Sequence, residues 1–222
     1  MKIVLATGNR GKIAEIRKML SDMDVEVLTF EDFDSFPDPA ETGSSFLANS
    51  LIKAKAVYES TGVSALADDS GLEVDYLDGG PGIMSARYGG DDLDDRRRYL
   101  KLLDEMEGVP EDQRGARFRC VMSFYPASGV EEVSLPEPEG REEIRKLLQG
   151  GPGALVTEGF LYGRIAEEPA GEGGFGYDPV FYIPEEGSTA AELPPDRKNR
   201  ISHRYRALVE MKRLLSRHCL SG

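Results

Sequence analysis

Apolar and polar positions follow one another along the chain in blocks that predict strands and helices in turn. Strands are predicted where short apolar runs stand between glycine or polar residues, at 2–6, 25–29, 63–67, 72–77, 117–125, 154–166 and 180–183. Helices are predicted where apolar residues recur at helical spacing, over 12–20, 44–60, 91–107, 141–149 and 196–215. Strands that alternate with helices in this way indicate an α/β fold.

The strand predicted at 63–67 ends at the polar run Asp68-Asp69-Ser70-Gly71. Ligands of open α/β sheets bind beyond the carboxyl ends of strands, so carboxylates at this position are candidates for binding a metal or a reacting group. Aspartate, serine and glycine are also common turn formers. The run by itself therefore leaves a catalytic interpretation and a turn interpretation open.

The first predicted strand runs into the loop Thr7-Gly-Asn-Arg-Gly-Lys12 and then into a helix. Such a loop directs backbone N–H groups and the positive end of the helix dipole at one point, where Lys12 can add a charge. The spacing is not that of a Walker A loop, since only two residues separate Gly8 from Gly11 and Ile13 replaces the magnesium-binding hydroxyl. A simple turn is the alternative. Because a lysine at a helix start is unfavourable without an anion, phosphate binding is favoured.

A glycine-rich stretch with two aromatic residues, 169–179, follows the strand predicted at 154–166. Glycines let the backbone pass close to a ligand, and Phe175 and Tyr177 offer flat faces on which a base can stack. Asp178 adds hydrogen-bond acceptors. A glycine-rich hairpin is the alternative interpretation, and the two aromatic side chains favour a base-binding one.

Basic residues cluster at the start of the last predicted helix, in an otherwise acidic chain. They are Lys198, His203 and Arg204. A single histidine is more often structural than catalytic, but this one stands between the hydroxyl of Ser202, which could cap a turn, and an arginine. The cluster is a candidate anion-binding element.

Carboxylates supply the remaining candidate chemistry. Glu41 and Asp69 could hold a divalent metal through hard oxygen atoms. Asn49 and Lys53 are four residues apart and therefore share one helix face, which this pair alone would place in solvent. Together with the phosphate-binding loop and the aromatic stretch, these groups describe a site for a nucleoside triphosphate with Mg²⁺, in which a carboxylate is the candidate general base.

The composition narrows the class of protein further. The chain has 222 residues, enough for one large domain, and a formal net charge of −13. That charge argues against broad binding to nucleic acid or to an anionic membrane, which needs clustered lysine and arginine, but permits a small anionic substrate. Cys120 and Cys219 show no zinc or redox spacing and predict free thiols in a reducing cytoplasm. Neither a signal peptide nor a membrane span is expected.

The sequence resembles the inosine/xanthosine triphosphate pyrophosphatases. The matching motifs follow one another in family order over nearly the whole chain: Thr7-Gly-Asn-Arg-Gly-Lys12, Glu41-Thr-Gly43, Asn49 with Lys53, Ala67-Asp-Asp-Ser-Gly71, Gly79-Gly-Pro-Gly82, Ser85-Ala-Arg-Tyr88, Gly174-Phe-Gly-Tyr-Asp-Pro179 and Ile201-Ser-His-Arg204. The resemblance implies a single domain over 1–222, with a long bent mixed β-sheet, helices that form two lobes and an active-site cleft between them. It also implies a cytoplasmic homodimer.

The resemblance further implies an activity and the residues that perform it. A hydrolase of this family would cleave ITP, dITP and XTP to the nucleoside monophosphate and pyrophosphate with Mg²⁺ as cofactor, and so remove them from the nucleotide pool. Glu41 and Asp69 would bind Mg²⁺, and Asp69 would also accept a proton from water. Substrate contacts are implied for Ser70, for the phosphate-binding residues Thr7, Gly8, Asn9, Arg10, Gly11, Lys12 and Lys53, and for the purine-pocket residues Phe175, Gly176, Tyr177, Asp178, Lys198, His203 and Arg204.

Asp68 and the segment at about 134–153 have no part in the implied chemistry. Because side chains alternate along a strand, Asp68 is expected to face away from Asp69, into hydrogen bonds that hold the turn. The segment is longer than the usual connection of the family and is expected to be a surface insertion. The alternative functions are a non-catalytic purine nucleotide-binding or sensor protein and a pyrophosphatase of other modified nucleotides.

Overall fold

The structure, a computed structural model, describes residues 1–126, 141–149 and 151–218. Its strands are β1 (Lys2–Leu5), β2 (Glu26–Leu28), β3 (Ala65–Val74), β4 (Gly115–Tyr125), β5 (Leu155–Ile165), β6 (Phe181–Ile183) and β7 (Ser188–Thr189). Its helices are α1 (Arg10–Leu20), α2 (Phe46–Thr61), α3 (Asp95–Glu105), α4 (Arg141–Leu148), α5 (Pro195–Ile201) and α6 (His203–His218). No helix in the described part of the chain is long and apolar enough to cross a membrane.

The strands form one open sheet in the order β2-β1-β3-β4-β5-β6-β7. Strand β1 runs parallel to both β2 and β3, whereas β6 runs antiparallel to both β5 and β7. Parallel strands need a crossover connection, which contains α1 between β1 and β2, and α2 between β2 and β3. The mixed sheet with helical connections confirms the predicted α/β fold.

Strand β3 is longer than predicted. The strand that was expected to end at Ala67 continues through Asp68 and Asp69 to Val74, and includes the first residues of the strand predicted at 72–77. Both carboxylates are buried within it. Each carboxylate pairs with a lysine. Because a buried charge is stabilised by such a partner, the two residues can remain in the strand and need no solvent-exposed turn. The turn interpretation of this run is therefore wrong.

The last predicted helix is two helices. Helix α5 ends at Ile201 and α6 begins at His203, because Ser202 between them has an extended backbone with ψ of 151°. The hydroxyl of Ser202 accepts a hydrogen bond from the backbone N–H of Tyr205 at 3.0 Å, which confirms the predicted capping role.

The described residues divide into two compact units. The first unit comprises Met1–Asp69, Cys120–Gly159 and Arg206–Gly222, and the second comprises Ser70–Arg119 and Phe160–Tyr205, as far as these ranges are described. In the first unit, Ile13, Ile16 and Leu20 of α1 pack with residues of α6 against the strands, as their spacing predicted. The second unit has its own core, built from Leu72, Val74, Leu102, Met106, Leu161, Val180 and Phe181 among others.

The helix expected near 141–149 is present as α4 and belongs to the first unit. Residues 134–140 and 150 of the predicted insertion lie outside the described residues.

Candidate active site

The glycine loop is shaped by its own polar side chains. Asn9 is the N-cap of α1, and its side-chain oxygen accepts hydrogen bonds from the backbone N–H groups of Gly11 at 2.9 Å and Lys12 at 3.1 Å. The hydroxyl of Thr7 accepts one from the N–H of Asn9 at 3.1 Å. Space is open beside Gly8, where an added Cβ would meet no atom within 4 Å. The loop is thus fixed in shape and accessible at Gly8.

The two cations of this loop point in different directions. Lys12 Nζ lies 2.8 Å from Asp68 Oδ2, and the Asp68 side chain is only 2% exposed. Arg10, whose side chain is 82% exposed, pairs instead with Glu31 at 3.0 Å. The structure therefore joins Lys12, and not Arg10, to the acidic residues of β3.

Five charged residues of the first unit form what we call the carboxylate–lysine cluster: Lys12, Glu41, Lys53, Asp68 and Asp69. Lys53 Nζ lies 2.8 Å from Glu41 Oε1 and 3.0 Å from Asp69 Oδ1. Asp68 and Asp69 thus bind different lysines, as expected for neighbours on a strand. With two lysines and three carboxylates, the cluster carries a formal charge of −1.

The pKa values of two members of the cluster, Asp69 and Lys53, are both raised. Burial raises the pKa of the Asp69 carboxyl, and the neighbouring charge of Glu41 adds to the effect, so that Lys53 offsets it only in part. Burial also lowers the pKa of the Lys53 ammonium, but the charges of Asp69, Asp68 and Glu41 outweigh burial and raise it overall. The neighbouring carboxylates therefore favour the ionised form of Lys53, whereas burial disfavours the ionised form of Asp69.

Asn49 lies in the site, although its pairing with Lys53 on one helix face had favoured a position in solvent. It is fully buried, and its amide donates to Asp69 Oδ2 at 3.2 Å while its oxygen accepts from the N–H of Gly43 at 2.8 Å. An added Cβ at Gly43 would lie 2.6 Å from the Ala48 Cβ, so this close approach requires glycine. The solvent-face interpretation of Asn49 and Lys53 is wrong, since Asn49 is fully buried and the Lys53 side chain is only 14% exposed. The signal available in the sequence was their four-residue spacing, which places both on one helix face.

The carboxylates of the cluster fit a divalent metal that takes further ligands from its substrate. No set of three or more His, Cys, Asp or Glu side chains in metal-binding arrangement occurs within 1–126, 141–149 and 151–218. Carboxylate oxygens of Glu41 and Asp69 nevertheless lie close enough together to bind the same lysine ammonium group, that of Lys53. Mg²⁺ is commonly bound by one or two carboxylates, water and substrate phosphates, and this donor set is of that type.

The aromatic stretch of the second unit is organised by Asp178. Its Oδ2 accepts the backbone N–H of Phe175 at 2.7 Å and forms an ion pair with Lys198 of α5. Lys198 Nζ lies 4.6 Å from the centre of the Phe175 ring, which is 62% exposed. The structure therefore brings Phe175, Asp178 and Lys198 together around one exposed aromatic ring.

Tyr177 differs from the prediction of a second exposed ring. It is 4% exposed, packs in the core of the second unit, and donates its hydroxyl to the carbonyl of Ser85 at 2.9 Å. The preceding Gly176 has φ of 61°, a left-handed conformation that glycine adopts readily, and its N–H is held by Asp95 at 2.7 Å. The backbone reversal at Gly176 turns Tyr177 inward.

His203 and Arg204 lie at the start of α6 but contact different residues. The His203 ring stacks on Phe118 with centroids 5.0 Å apart. Arg204 is 5% exposed and donates from Nη2 to the Ser70 hydroxyl at 3.4 Å. Arg204 and Ser70 both belong to the second unit.

The chain is similar to known proteins over almost its whole length. Residues 3–214 match the sequence model of the Ham1 family. The dITP/XTP pyrophosphatase of Geobacillus kaustophilus is 47% identical over 210 residues, which cover 95% of this chain and 92% of that protein. The dITP/XTP pyrophosphatase of Vibrio parahaemolyticus is 45% identical over 215 residues, covering 97% and 96%.

Solved structures are also similar to this chain over nearly its whole length. The HAM1 protein of Coxiella burnetii has a TM-score of 0.82 at 38% identity, covering 98% of this chain and 99% of its own. A nucleoside-triphosphatase / dITP/XTP pyrophosphatase of Mycobacterium abscessus has a TM-score of 0.70, also at 38% identity, covering 95% and 97%.

Proposed function

The chain belongs to the Ham1 family, and from that premise we propose that it hydrolyses the deaminated purine nucleoside triphosphates ITP, dITP and XTP to the monophosphate and pyrophosphate. Relatives named dITP/XTP pyrophosphatase match it at 45–47% identity over nearly their full length. The single structural observation that supports the proposal most is the carboxylate–lysine cluster, which joins a candidate base, candidate metal ligands and phosphate-binding cations.

Asp69 is the proposed proton acceptor for the attacking water. Its pKa is raised by burial, which brings a carboxylate closer to the neutral pH at which general bases work best. Lys53 and Asn49 fix the orientation of its two oxygens. Lys12 and Lys53 are proposed to donate to phosphate oxygens, where departure of pyrophosphate concentrates negative charge.

Glu41 and Asp69 are proposed to hold Mg²⁺. The formal charge of −1 on the cluster would repel an anionic nucleotide, so a further cation is needed at this place. A bound Mg²⁺ would supply that positive charge and polarise the phosphate oxygens.

Base recognition is proposed for the second unit. The exposed Phe175 ring offers a stacking surface, and Arg204 offers donors to the 6-oxygen of hypoxanthine or xanthine. Adenine has an amino group at that position, which would place one hydrogen-bond donor against another, the Arg204 guanidinium. A buried polar group that is wrongly paired costs about 1–3 kcal/mol, so two such contacts would exclude adenine strongly.

The test is pyrophosphate release from a panel of nucleotides. With Mg²⁺ we expect rapid release from ITP, dITP and XTP, slow release from ATP and GTP, and loss of all activity when a chelator removes the metal. Equal rates on ATP and ITP would contradict the specificity. Tight binding of ITP without pyrophosphate release would instead identify a nucleotide sensor, and preference for another modified nucleotide would identify a different pyrophosphatase.

A homodimer in the cytoplasm is a further part of the proposal, supported by the family resemblance alone. Sedimentation equilibrium of the purified protein tests the first, and microscopy of the tagged protein in its own cell tests the second. A monomer at micromolar concentration would contradict the dimer without affecting the proposed chemistry.

A further inference from the structure

Helix α4 contacts the loop that carries Glu41. Its residue Glu143 accepts two hydrogen bonds from Ser44, one from the backbone N–H at 3.3 Å and one from the hydroxyl at 2.5 Å. These residues are 99 positions apart in the chain. The contact therefore depends on where the fold places α4.

Helix α4 packs against α2. Ile144 is 2% exposed, and Lys55 of α2 donates to the carbonyl of Leu147 near the end of α4 at 2.8 Å. A lysine at a helix C-terminus also complements the helix dipole. Glu143 therefore projects from a helix whose position is fixed by α2, so it can act as a rigid support for Ser44.

Ser44 stands between two anchored residues. Gly43 before it donates its N–H to the Asn49 side chain, and Ser45 after it is the N-cap of α2, accepting from the N–H of Ala48 at 3.1 Å. Glu41 lies only three residues before Ser44. The bonds from Ser44 to Glu143 are thus one of three sets that hold this segment, and their loss would loosen the backbone that carries Glu41.

We propose that Glu143 is a positioning residue for Glu41. By holding Ser44, it keeps the Glu41 carboxylate at the distance from Asp69 at which both can bind one divalent cation. The inference rests on the proposed function, because it concerns the cation that Glu41 and Asp69 are proposed to share. It gives the predicted insertion a role in the active site, which a plain surface excursion would not have.

A purely structural role of Glu143 would affect folding stability and leave metal affinity unchanged. The experiment therefore measures binding of Mn²⁺ to the nucleotide-free protein by electron paramagnetic resonance, together with thermal unfolding. The variants are Glu143→Ala, Ser44→Ala, the double variant and Glu143→Gln. Glu142→Ala is the matched control, since Glu142 is exposed on the same helix and pairs with Lys146.

Glu143→Ala and Ser44→Ala should each weaken Mn²⁺ binding by roughly three- to tenfold, at the lower edge of the effect seen when partners of metal ligands are removed. The double variant should bind as the single variants do, because both remove one interaction. Glu143→Gln keeps an acceptor for Ser44 and should restore most of the affinity. Glu142→Ala, which removes the same charge, should bind as the wild type does.

Unchanged Mn²⁺ affinity in Ser44→Ala or Glu143→Ala would overturn the positioning role, whatever happens to the melting temperature. Ser44→Ala keeps the test decisive if Glu143→Ala fails to fold, since Ser44 is a small exposed side chain. Glu41→Gln separates the two proposals. If it leaves Mn²⁺ binding intact, the proposed metal ligands are wrong; if it abolishes binding while Glu143→Ala does not weaken it, only the positioning role is wrong.

Discussion

The adjacent carboxylates of Asp68 and Asp69 have different partners and, we infer, different tasks. Asp68 has an ion pair with Lys12 at 2.8 Å. Asp69 shares Lys53 with Glu41, so that one ammonium group serves two carboxylates. Replacing each one in turn should separate folding stability from chemistry.

Asp69→Asn should lower kcat by about 10²- to 10⁴-fold, the usual contribution of a general base. Its melting temperature should change little, because asparagine can still accept from Asn49. Asp68→Asn should destabilise the fold by about 1–3 kcal/mol, because the charge of Lys12 loses a buried partner, and leave kcat within about tenfold of wild type. Pyrophosphate release and thermal unfolding measure the two quantities. Equal losses of kcat at unchanged melting temperature would refute the division.

The two aromatic residues of the glycine-rich stretch give a second residue-level prediction. Phe175→Ala should raise KM for ITP by about 10- to 100-fold, because base stacking contributes about 1–3 kcal/mol, while an exposed ring adds little to stability. Tyr177→Phe should leave KM unchanged and lower stability by about 1 kcal/mol through the lost bond to Ser85. Steady-state kinetics and thermal unfolding of both variants check this. A Tyr177→Phe variant with the larger rise in KM would exclude the assignment.

Among the elements, α3 ends at a charged contact whose strength should depend on pH. Lys101 and the hydroxyl of Tyr88 both donate to Glu105, and these bonds, Lys101 first, lower its pKa below the ordinary value of 4.5. A lowered pKa means that the ionised form stabilises the fold. The contribution is therefore complete above pH 4.5 and disappears as the pH falls through the lowered value.

Glu105→Gln should consequently lower the free energy of unfolding at pH 7 by about 1 kcal/mol or less, since the pair is partly exposed. The difference from wild type should shrink toward zero as the pH falls through the lowered folded-state pKa of Glu105. Denaturant unfolding at several pH values measures it, with the exposed neighbour Glu107→Gln as control. A difference that stays constant down to low pH would show that the charge of Glu105 is not responsible.

Element boundaries were harder to predict than the elements themselves. Apolar spacing located α1 and β4 to within two residues, whereas α3 begins at Asp95, four residues after the predicted start. The same spacing missed the break at Ser202, because the apolar pattern of α6 was extended back over α5, which has no buried residue of its own. It also ended β3 too early, since a local pattern cannot reveal that Asp68 and Asp69 find lysines from elsewhere in the chain.

For the whole molecule, the two units are interleaved along the chain. The chain leaves and re-enters each unit, so neither is a continuous segment, and β3, β4 and β5 each contribute residues to both. Because three strands are shared, unfolding of either unit would also unfold part of the strands of the other unit.

We expect one cooperative unfolding transition. In scanning calorimetry of the metal-free protein, the calorimetric enthalpy should equal the van't Hoff enthalpy, as for a two-state domain. Far-UV circular dichroism should follow the same curve. Two resolved transitions would mean that the units unfold separately and would contradict the prediction of a single domain over 1–222.

Local residue order was enough to predict the chemical groups of the site and the order in which they occur. Alternating apolar patterns established the α/β fold, and motifs spread over the chain established the family, because both are recorded in local residue order. Only the tertiary structure decided which carboxylate meets which lysine, that Asn49 is buried at the site, that Tyr177 turns inward, and that Glu143 reaches Ser44. Most of these are contacts between distant parts of the chain, and no local pattern encodes which distant side chain a buried charge will find.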